Sequence, residues 1–265
     1  MILPSASPVS WLLALAASAA YAVPAVASAR LNAIAARNAL LLAWVLHAAT
    51  LVWGLWGGAP RFGFAPALSM TAWLVLTVYA VERQLFPQLQ ARWMLAALGA
   101  LAVVLAVLFP GQPLHVAASA WLPLHLALGI ACYGLFAAAV VHAWLMTRAE
   151  RHIRQAEDPQ NGIPLLTLER LTFRFVTAGF VLLTATLLAG WLFGEVLYGH
   201  AGRWDHKAVF SLLSWLTFAA LLIGRSRFGW RGRIAVRMLY AGAGLLLLAY
   251  VGSRFVLEVV LGRSA

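Results

Sequence analysis

Residues 119–146 have the sequence SAWLPLHLALGIACYGLFAAAVVHAWLM, an apolar stretch without aspartate, glutamate, lysine or arginine. A helix needs roughly 20 apolar residues to cross the hydrocarbon core of a bilayer, so this stretch predicts a transmembrane helix. Its extra length indicates a helix that tilts or projects from the membrane. A soluble domain would not carry such a segment, because its surface must be wetted by water.

The rest of the chain repeats this pattern. Its 265 residues are 63% hydrophobic and only 10% charged. Seven further apolar runs, each near spanning length, lie at about 9–28, 39–57, 66–82, 93–109, 173–196, 207–224 and 234–260. We therefore predict an all-α polytopic membrane protein with eight transmembrane helices, forming one integral-membrane domain over residues 1–265.

The basic residues sort by loop, and this sorting predicts the orientation of the chain. Our span assignment places 14 of the 19 lysines and arginines near the loops of one side, namely Arg30, Arg37, Arg83, Arg92, Arg148, Arg151, Arg154, Arg170, Arg174, Arg225, Arg227, Arg231, Arg233 and Arg237. The positive-inside rule makes that side cytoplasmic, so both termini are predicted outside the cytoplasm. The net charge of +11 does not indicate a nucleic-acid partner, because these residues do not cluster on one face.

The cysteine count and the motif search exclude several classes of function. Cys132 is the only cysteine, so an internal disulfide and a Cys-x-x-Cys redox pair are both excluded, and a buried apolar role is predicted for it. No Cys/His spacing suits a structural zinc site. No Ser-His-Asp order or phosphate loop is visible.

Two histidines within predicted spans could bind an iron or simply pack. His47 lies about ten residues into its span, which is roughly 15 Å deep at the rise of an α-helix. His125 lies about six residues into residues 119–146, roughly 9 Å below the predicted outer surface. A neutral imidazole can be an axial haem ligand, but an intramembrane histidine can equally be a structural residue bonded to a neighbouring helix. His142, near the inner end of the same span, is predicted to be interfacial and solvated.

The last quarter of the chain carries the most specific pattern. Trp204-Asp205-His206-Lys207 is followed by an apolar run, by Gly229-Trp230-Arg231-Gly232-Arg233, and by Ala249-Tyr250-Val251-Gly252-Ser253-Arg254-Phe255. This order resembles the end of the membrane-embedded cytochrome c assembly family, which includes CcsA, CcmC and HemX-like proteins. The resemblance is closest to its small YpjD-type branch.

The resemblance implies a set of haem-site residues. In the family, a tryptophan-rich outer segment ending in Trp-Asp-Pro-Lys-Glu binds haem between histidines. Trp204 and Asp205 match that ending, whereas His206 replaces the proline and the upstream tryptophans are missing. His125 matches the first outer histidine of the family, and His47 matches its early intramembrane histidine. The family partners of these two histidines are not found in the chain.

Two functions follow as hypotheses. The first is a haem b-binding protein of the bacterial inner membrane that acts as an assembly factor or haem chaperone, and not as a turnover enzyme. Other cytochrome c assembly proteins are its possible partners. His125 and His47 are then the ligand candidates, Trp204, Asp205 and His206 shape the outer site, and Arg254 is a weaker candidate for a haem propionate. The alternative is a non-haem transporter accessory or scaffold subunit that retains the fold.

Arg254 also has a simpler interpretation. Glu258 follows it by four residues on the same predicted helix, a spacing at which opposite charges pair. A local ion pair is therefore predicted for Arg254.

Overall fold

The computed structural model describes residues 7–26, 32–57, 61–85, 92–113, 121–155, 164–193 and 205–261. Within these residues the chain is almost entirely helical. The helices are α1 (Pro8–Val26), α2 (Ala33–Trp56), α3 (Phe64–Leu85), α4 (Arg92–Leu108), α5 (Trp121–Arg154), α6 (Leu165–Leu192), α7 (His206–Phe228) and α8 (Gly232–Val260). Two short strands, β1 (Arg61–Phe62) and β2 (Gln112–Pro113), pair antiparallel.

The described helices match the predicted spans closely, so the prediction of an all-helical membrane protein is confirmed. Seven of them are long and apolar enough to cross a membrane. The apolar part of α4, Met94–Leu108, is shorter, so the count of eight crossings stays a prediction. The orientation of the termini and the single domain also stay predictions. Both α5 and α6 extend into the loop predicted between residues 146 and 173. The apolar part of α5 is followed by a polar helical segment that ends at Arg154, and the apolar part of α6 is preceded by one that begins at Leu165.

The chain forms two compact units, of which the first comprises residues 1–115 and 254–265. Within it α1 packs against α2 and α4, and α3 packs against α4. Tyr21 of α1 lies against the Cα of Gly99, where an added Cβ would stand 2.8 Å from the phenol ring. Trp44 and Trp73 stack with ring centroids 5.0 Å apart, which joins α2 to α3. Trp44 and Trp73 are thus packing residues of the first unit.

The start of α3 is held by the last turns of α8, which belong to the same unit. The Glu258 carboxylate accepts a hydrogen bond from the Phe64 backbone N–H. A Cβ at Gly63 would stand 2.9 Å from that carboxylate, so glycine provides the space for it. Phe64 and Phe255 pack edge to face at 5.3 Å. A carboxylate at a helix N-terminus satisfies free N–H groups and faces the positive end of the helix dipole.

The second unit comprises residues 116–253 and is built around one aromatic stack. Phe136 of α5 and Phe218 of α7 lie parallel, with ring centroids 3.8 Å apart. A Cβ at Gly179 of α6 would stand 3.1 Å from Phe136, and one at Gly242 of α8 would stand 2.8 Å from Phe218. The stack is therefore enclosed by a glycine on either side, which brings four helices together. Small residues allow this close approach of membrane helices.

Polar side chains inside this unit bond to backbone carbonyls of neighbouring helices. Ser214 donates to the Gly242 carbonyl at 2.8 Å, and Tyr133 donates to the Leu246 carbonyl. Cys132 is buried, as predicted, with Sγ 3.5 Å from the Gly179 carbonyl. Trp215 donates its indole N–H to Thr184 at 2.9 Å. These bonds cross between helices at the level of the aromatic core.

We expect Gly242→Ala to lower the stability of the purified protein by about 1–3 kcal/mol, the usual cost of overpacking a core. The added methyl would press on Phe218, whose ring is stacked and cannot retreat. Gly244→Ala on the same helix is the matched control, because a Cβ there meets no atom within 4 Å. Thermal unfolding in detergent measures both variants. Equal melting temperatures would contradict the enclosed stack.

Candidate functional site

His47 is held by hydroxyl groups on both of its ring nitrogens. It lies in α2 and is fully buried. Its Nδ1 is hydrogen-bonded to the Tyr21 hydroxyl of α1 at 3.1 Å, and its Nε2 to the Ser69 hydroxyl of α3 at 2.8 Å. The Tyr21 and His47 rings meet edge to face at 5.8 Å. One imidazole thus links three helices of the first unit.

This arrangement bears on iron binding by His47. An imidazole binds haem iron through a ring nitrogen that has no other partner on the metal side. Here the hydroxyl of Tyr21 or of Ser69 must move away before either nitrogen can reach a metal. The residues around His47 therefore do not fit a haem in this conformation. They fit a structural histidine, the second of the two roles that the sequence left open.

His125 has a more open environment. It lies in α5, one turn from the beginning of the helix, and is half-buried. Its Cε1 faces Gly190 of α6, where an added Cβ would stand 3.5 Å away. Gly129, one turn further along α5, faces Thr186 in the same way at 3.9 Å. A side chain larger than glycine at residue 190 would fill the space beside the imidazole.

The helix register brings His125 to the same end of the second unit as Asp205 and His206. Contacts of His125 with Gly190 and of Phe136 with Gly179 show that α5 and α6 run antiparallel. The bond from Trp215 to Thr184 sets the register of the antiparallel pair α6 and α7. Gly190 lies beyond Thr184 in α6. Because α7 runs antiparallel to α6, Gly190 is level with the part of α7 that precedes Trp215, toward its beginning at His206. The two predicted outer segments therefore lie at the same end of the second unit.

Asp205 has a local structural role. It is the N-cap of α7, and its carboxylate accepts a hydrogen bond from the Ala208 backbone N–H at 2.9 Å. Aspartate is among the preferred residues at this position. Asp205 and His206 are both exposed. Trp204, the remaining residue of the predicted outer site on this side, lies outside the described residues.

Arg254 pairs with Glu258 at 3.8 Å, and the predicted ion pair is confirmed. Both belong to the first unit, where Glu258 caps α3. Arg254 thus has an anionic neighbour in its own helix. A contact with a haem propionate stays a prediction for it.

Two polar features were not anticipated from the sequence. His142 is buried, with Nδ1 hydrogen-bonded to the Ala138 carbonyl at 2.8 Å, so the prediction of a solvated residue is wrong. Glu169 of α6 binds Arg225 of α7 at 2.7 Å, and the Arg225 guanidinium lies 3.6 Å from the centroid of the Phe173 ring. Nothing in the spacing of Glu169 and Arg225 could have paired them, because they are far apart in the chain.

The comparisons with known proteins agree with the resemblance seen in the sequence. The family model described as cytochrome C assembly protein matches residues 34–261. The chain belongs to the cytochrome c assembly protein family. Among the described helices, that match covers α3 to α8 and all of α2 except its first residue. No solved structure matches the chain.

Three curated proteins are similar to the chain over part of its length. The inner membrane protein YpjD of Escherichia coli strain K12 is 31% identical over 161 residues, which are 60% of this chain and 60% of that protein. The cytochrome c biogenesis protein CcsA of Synechococcus sp. strain JA-3-3Ab is 28% identical over 247 residues, 81% of this chain and 72% of that protein. A 28.8 kDa protein of Azospirillum brasilense is 34% identical over 148 residues, 54% of each chain. The chain thus spans about three fifths of the length of the YpjD protein it matches.

We expect His47→Leu to destabilise this family member by roughly 2–3 kcal/mol, because two buried hydroxyls lose their partner. Tyr21→Phe should cost less, about 1 kcal/mol, since only one bond is removed. His206→Leu is the control, because His206 is exposed. Thermal unfolding of the three purified proteins gives the ranking. A His47→Leu protein as stable as the wild type would show that the hydroxyl pair is not structural.

Asp205→Ala should destabilise α7 by about 1 kcal/mol through loss of its cap, whereas Asp205→Ser should keep most of the stability. Serine accepts the same hydrogen bond from Ala208 but carries no charge. Hydrogen exchange of the first turn of α7 measures the effect locally. Equal protection in the alanine and wild-type proteins would be incompatible with capping by Asp205.

Proposed function

We propose that the chain is a haem-binding membrane protein of the bacterial inner membrane that serves cytochrome c assembly or haem handling. The observation that carries the proposal is the placement of His125 beside Gly190, at the end of the second unit where α7 begins. The proposal gives His125 the role of iron ligand. A family match over residues 34–261 supports the cytochrome c assembly context.

The residues at this end of the unit fit a flat ligand. Glycine at residue 190 places no side chain against the His125 imidazole, and glycine at residue 129 keeps the adjoining face of α5 narrow. Further along that face Tyr133 and Phe136 pack into the aromatic core. When bound, haem supplies a redox-active iron, and the chain's own part is to hold it and control its access to water.

The outer residues have distinct roles in this proposal. Asp205 orders the beginning of α7, and His206 stands exposed next to it. Trp204 is proposed to line the same entrance. Asp205 and His206 are exposed at the beginning of α7, a position that suits reception of a ligand from outside the membrane. The proposal makes the chain a carrier or assembly factor and assigns it no turnover reaction.

His47 is the second candidate for the iron ligand, but only in a different conformation of its neighbours. Iron binding there requires a conformation in which the Ser69 or Tyr21 hydroxyl has left the imidazole. The relative CcsA of Synechococcus is named as a cytochrome c biogenesis protein, which supports haem as the ligand class. The haem type, the number of haems and the partner proteins belong to the proposal, with haem b and other assembly proteins as its specific form.

We expect the protein purified from haem-replete cells to show a Soret band and split reduced bands, and His125→Ala to lose most of that absorbance. His152→Ala is the matched control, because it removes a histidine near the other end of the same helix. The measurement is an absorption spectrum before and after dithionite, with haem quantified per chain.

The His47 variants separate the two ligand candidates. A spectrum that survives His125→Ala but is lost in His47→Ala would transfer the ligand role to His47. Wild-type protein that stays colourless after addition of haem would contradict the proposal. That result would favour the alternative of a non-haem accessory or scaffold subunit that retains the fold.

A further inference from the structure

The first unit contains a cleft whose lining does not include His125, the proposed iron ligand. Its volume is about 300 Å³, at the lower end of the range for small-molecule pockets. It lies where α1 and α3 begin and where α2 and α4 end. Its lining includes Ser7, Gly54, Arg61, Ser69, Met70 and Val107.

The cleft combines apolar walls with one positive charge. Met70 of α3 and Val107 of α4 are among the side chains of the walls. Arg61 lines the opening, and within the described part of the chain no carboxylate forms an ion pair with it. Its backbone is held in place by the pairing of β1 with β2, where Arg61 stands opposite Pro113. The guanidinium fork of arginine suits a carboxylate because both can form two parallel hydrogen bonds.

Hydroxyl groups provide the remaining polar surface of the cleft. Ser7 is hydrogen-bonded to the indole N–H of Trp53 at 3.3 Å near the opening. Ser69 lies at the buried side, where its hydroxyl is hydrogen-bonded to His47 Nε2 at 2.8 Å. His47 in turn is bonded to Tyr21, so the position of the Ser69 hydroxyl is fixed by a chain of buried polar groups. The cleft is therefore lined by the hydrogen-bonded hydroxyls of Ser7 and Ser69 as well as by apolar side chains.

We propose that this cleft binds a single-chain amphipathic carboxylate, with the carboxylate on Arg61 and the hydrocarbon chain along the walls. A guanidinium binds a carboxylate or a phosphate in the same bidentate way, so size decides between them. The cleft of about 300 Å³ has room for one short hydrocarbon chain and not for the two chains of a diacyl phospholipid. The apolar walls call for a hydrocarbon portion, since an ion alone would leave them covered by water. The site lies entirely in the first unit, so it does not depend on the proposed haem site at His125.

The direct test is equilibrium binding of radiolabelled decanoate to the intact protein in detergent, by scintillation proximity. We expect saturable binding of one decanoate per chain. Unlabelled decanoate should compete, decanol should compete at least roughly tenfold more weakly because it lacks the charge, and acetate should not compete because it lacks the chain. Vesicle-derived phosphatidylglycerol is the competitor that represents a lipid head group.

Three variants locate the site. Arg61→Gln removes the charge and should weaken decanoate binding roughly tenfold or more. Gly54→Leu places a larger side chain at the cleft, where a Cβ meets no atom within 4 Å, and should reduce binding while the protein remains folded. Arg227→Gln is the matched control, because Arg227 is exposed in the second unit. Circular dichroism and gel filtration verify that each variant is folded.

The possible outcomes are distinct. Saturable binding that is lost in Arg61→Gln and Gly54→Leu but kept in Arg227→Gln would support the proposal. Absence of saturable binding, equal binding by all variants, or displacement by phosphatidylglycerol in preference to decanoate would overturn it. The haem spectrum of Arg61→Gln is expected to equal that of the wild type, so this test and the test of the haem site fail independently.

Discussion

The requirement that buried polar groups find partners inside the protein governs this structure, because hydrocarbon offers them none. Threonine hydroxyls meet it within their own helices by donating to the carbonyl four residues earlier, as at Thr71, Thr77, Thr147, Thr172, Thr177, Thr184, Thr186 and Thr217. Larger polar groups meet it between helices. Ser214 and Tyr133 donate to backbone carbonyls of α8, and His47 binds hydroxyls of α1 and α3. Each such bond also fixes how two helices are rotated against each other.

Glycines decide where the helices approach most closely, and the two units use them differently. In the second unit Gly179 and Gly242 enclose the stacked rings of Phe136 and Phe218, so the glycines serve packing. Gly190 of α6 faces the edge of the half-buried His125 ring, so here the same residue type lies beside an imidazole. In the first unit Gly63 makes room for the Glu258 carboxylate at the start of α3. Glycines therefore allow tight packing of the aromatic core in the second unit and leave space for the Glu258 carboxylate in the first unit.

The two histidines that the family resemblance selected have opposite surroundings. His47 is enclosed by partners on both nitrogens, which makes it a joint between three helices. His125 lies near a helix end beside a glycine and is only half-buried. Residue type and predicted depth could not separate these roles, because the partners of a histidine come from other helices. The proposed function accordingly depends on His125, and its context comes from the family match.

The sequence alone determined the helical membrane class, the approximate limits of the apolar helices, the family, and the pair Arg254–Glu258. These features depend on local composition or on spacing within one helix, which a single chain displays directly. Only the tertiary structure decided the partners of His47, the burial of His142, and the pairing of Glu169 with Arg225. It also decided the cleft at Arg61. The physical reason is that these contacts join helices distant in the chain, and apolar periodicity is too weak in helices surrounded by lipid to tell which face meets which neighbour.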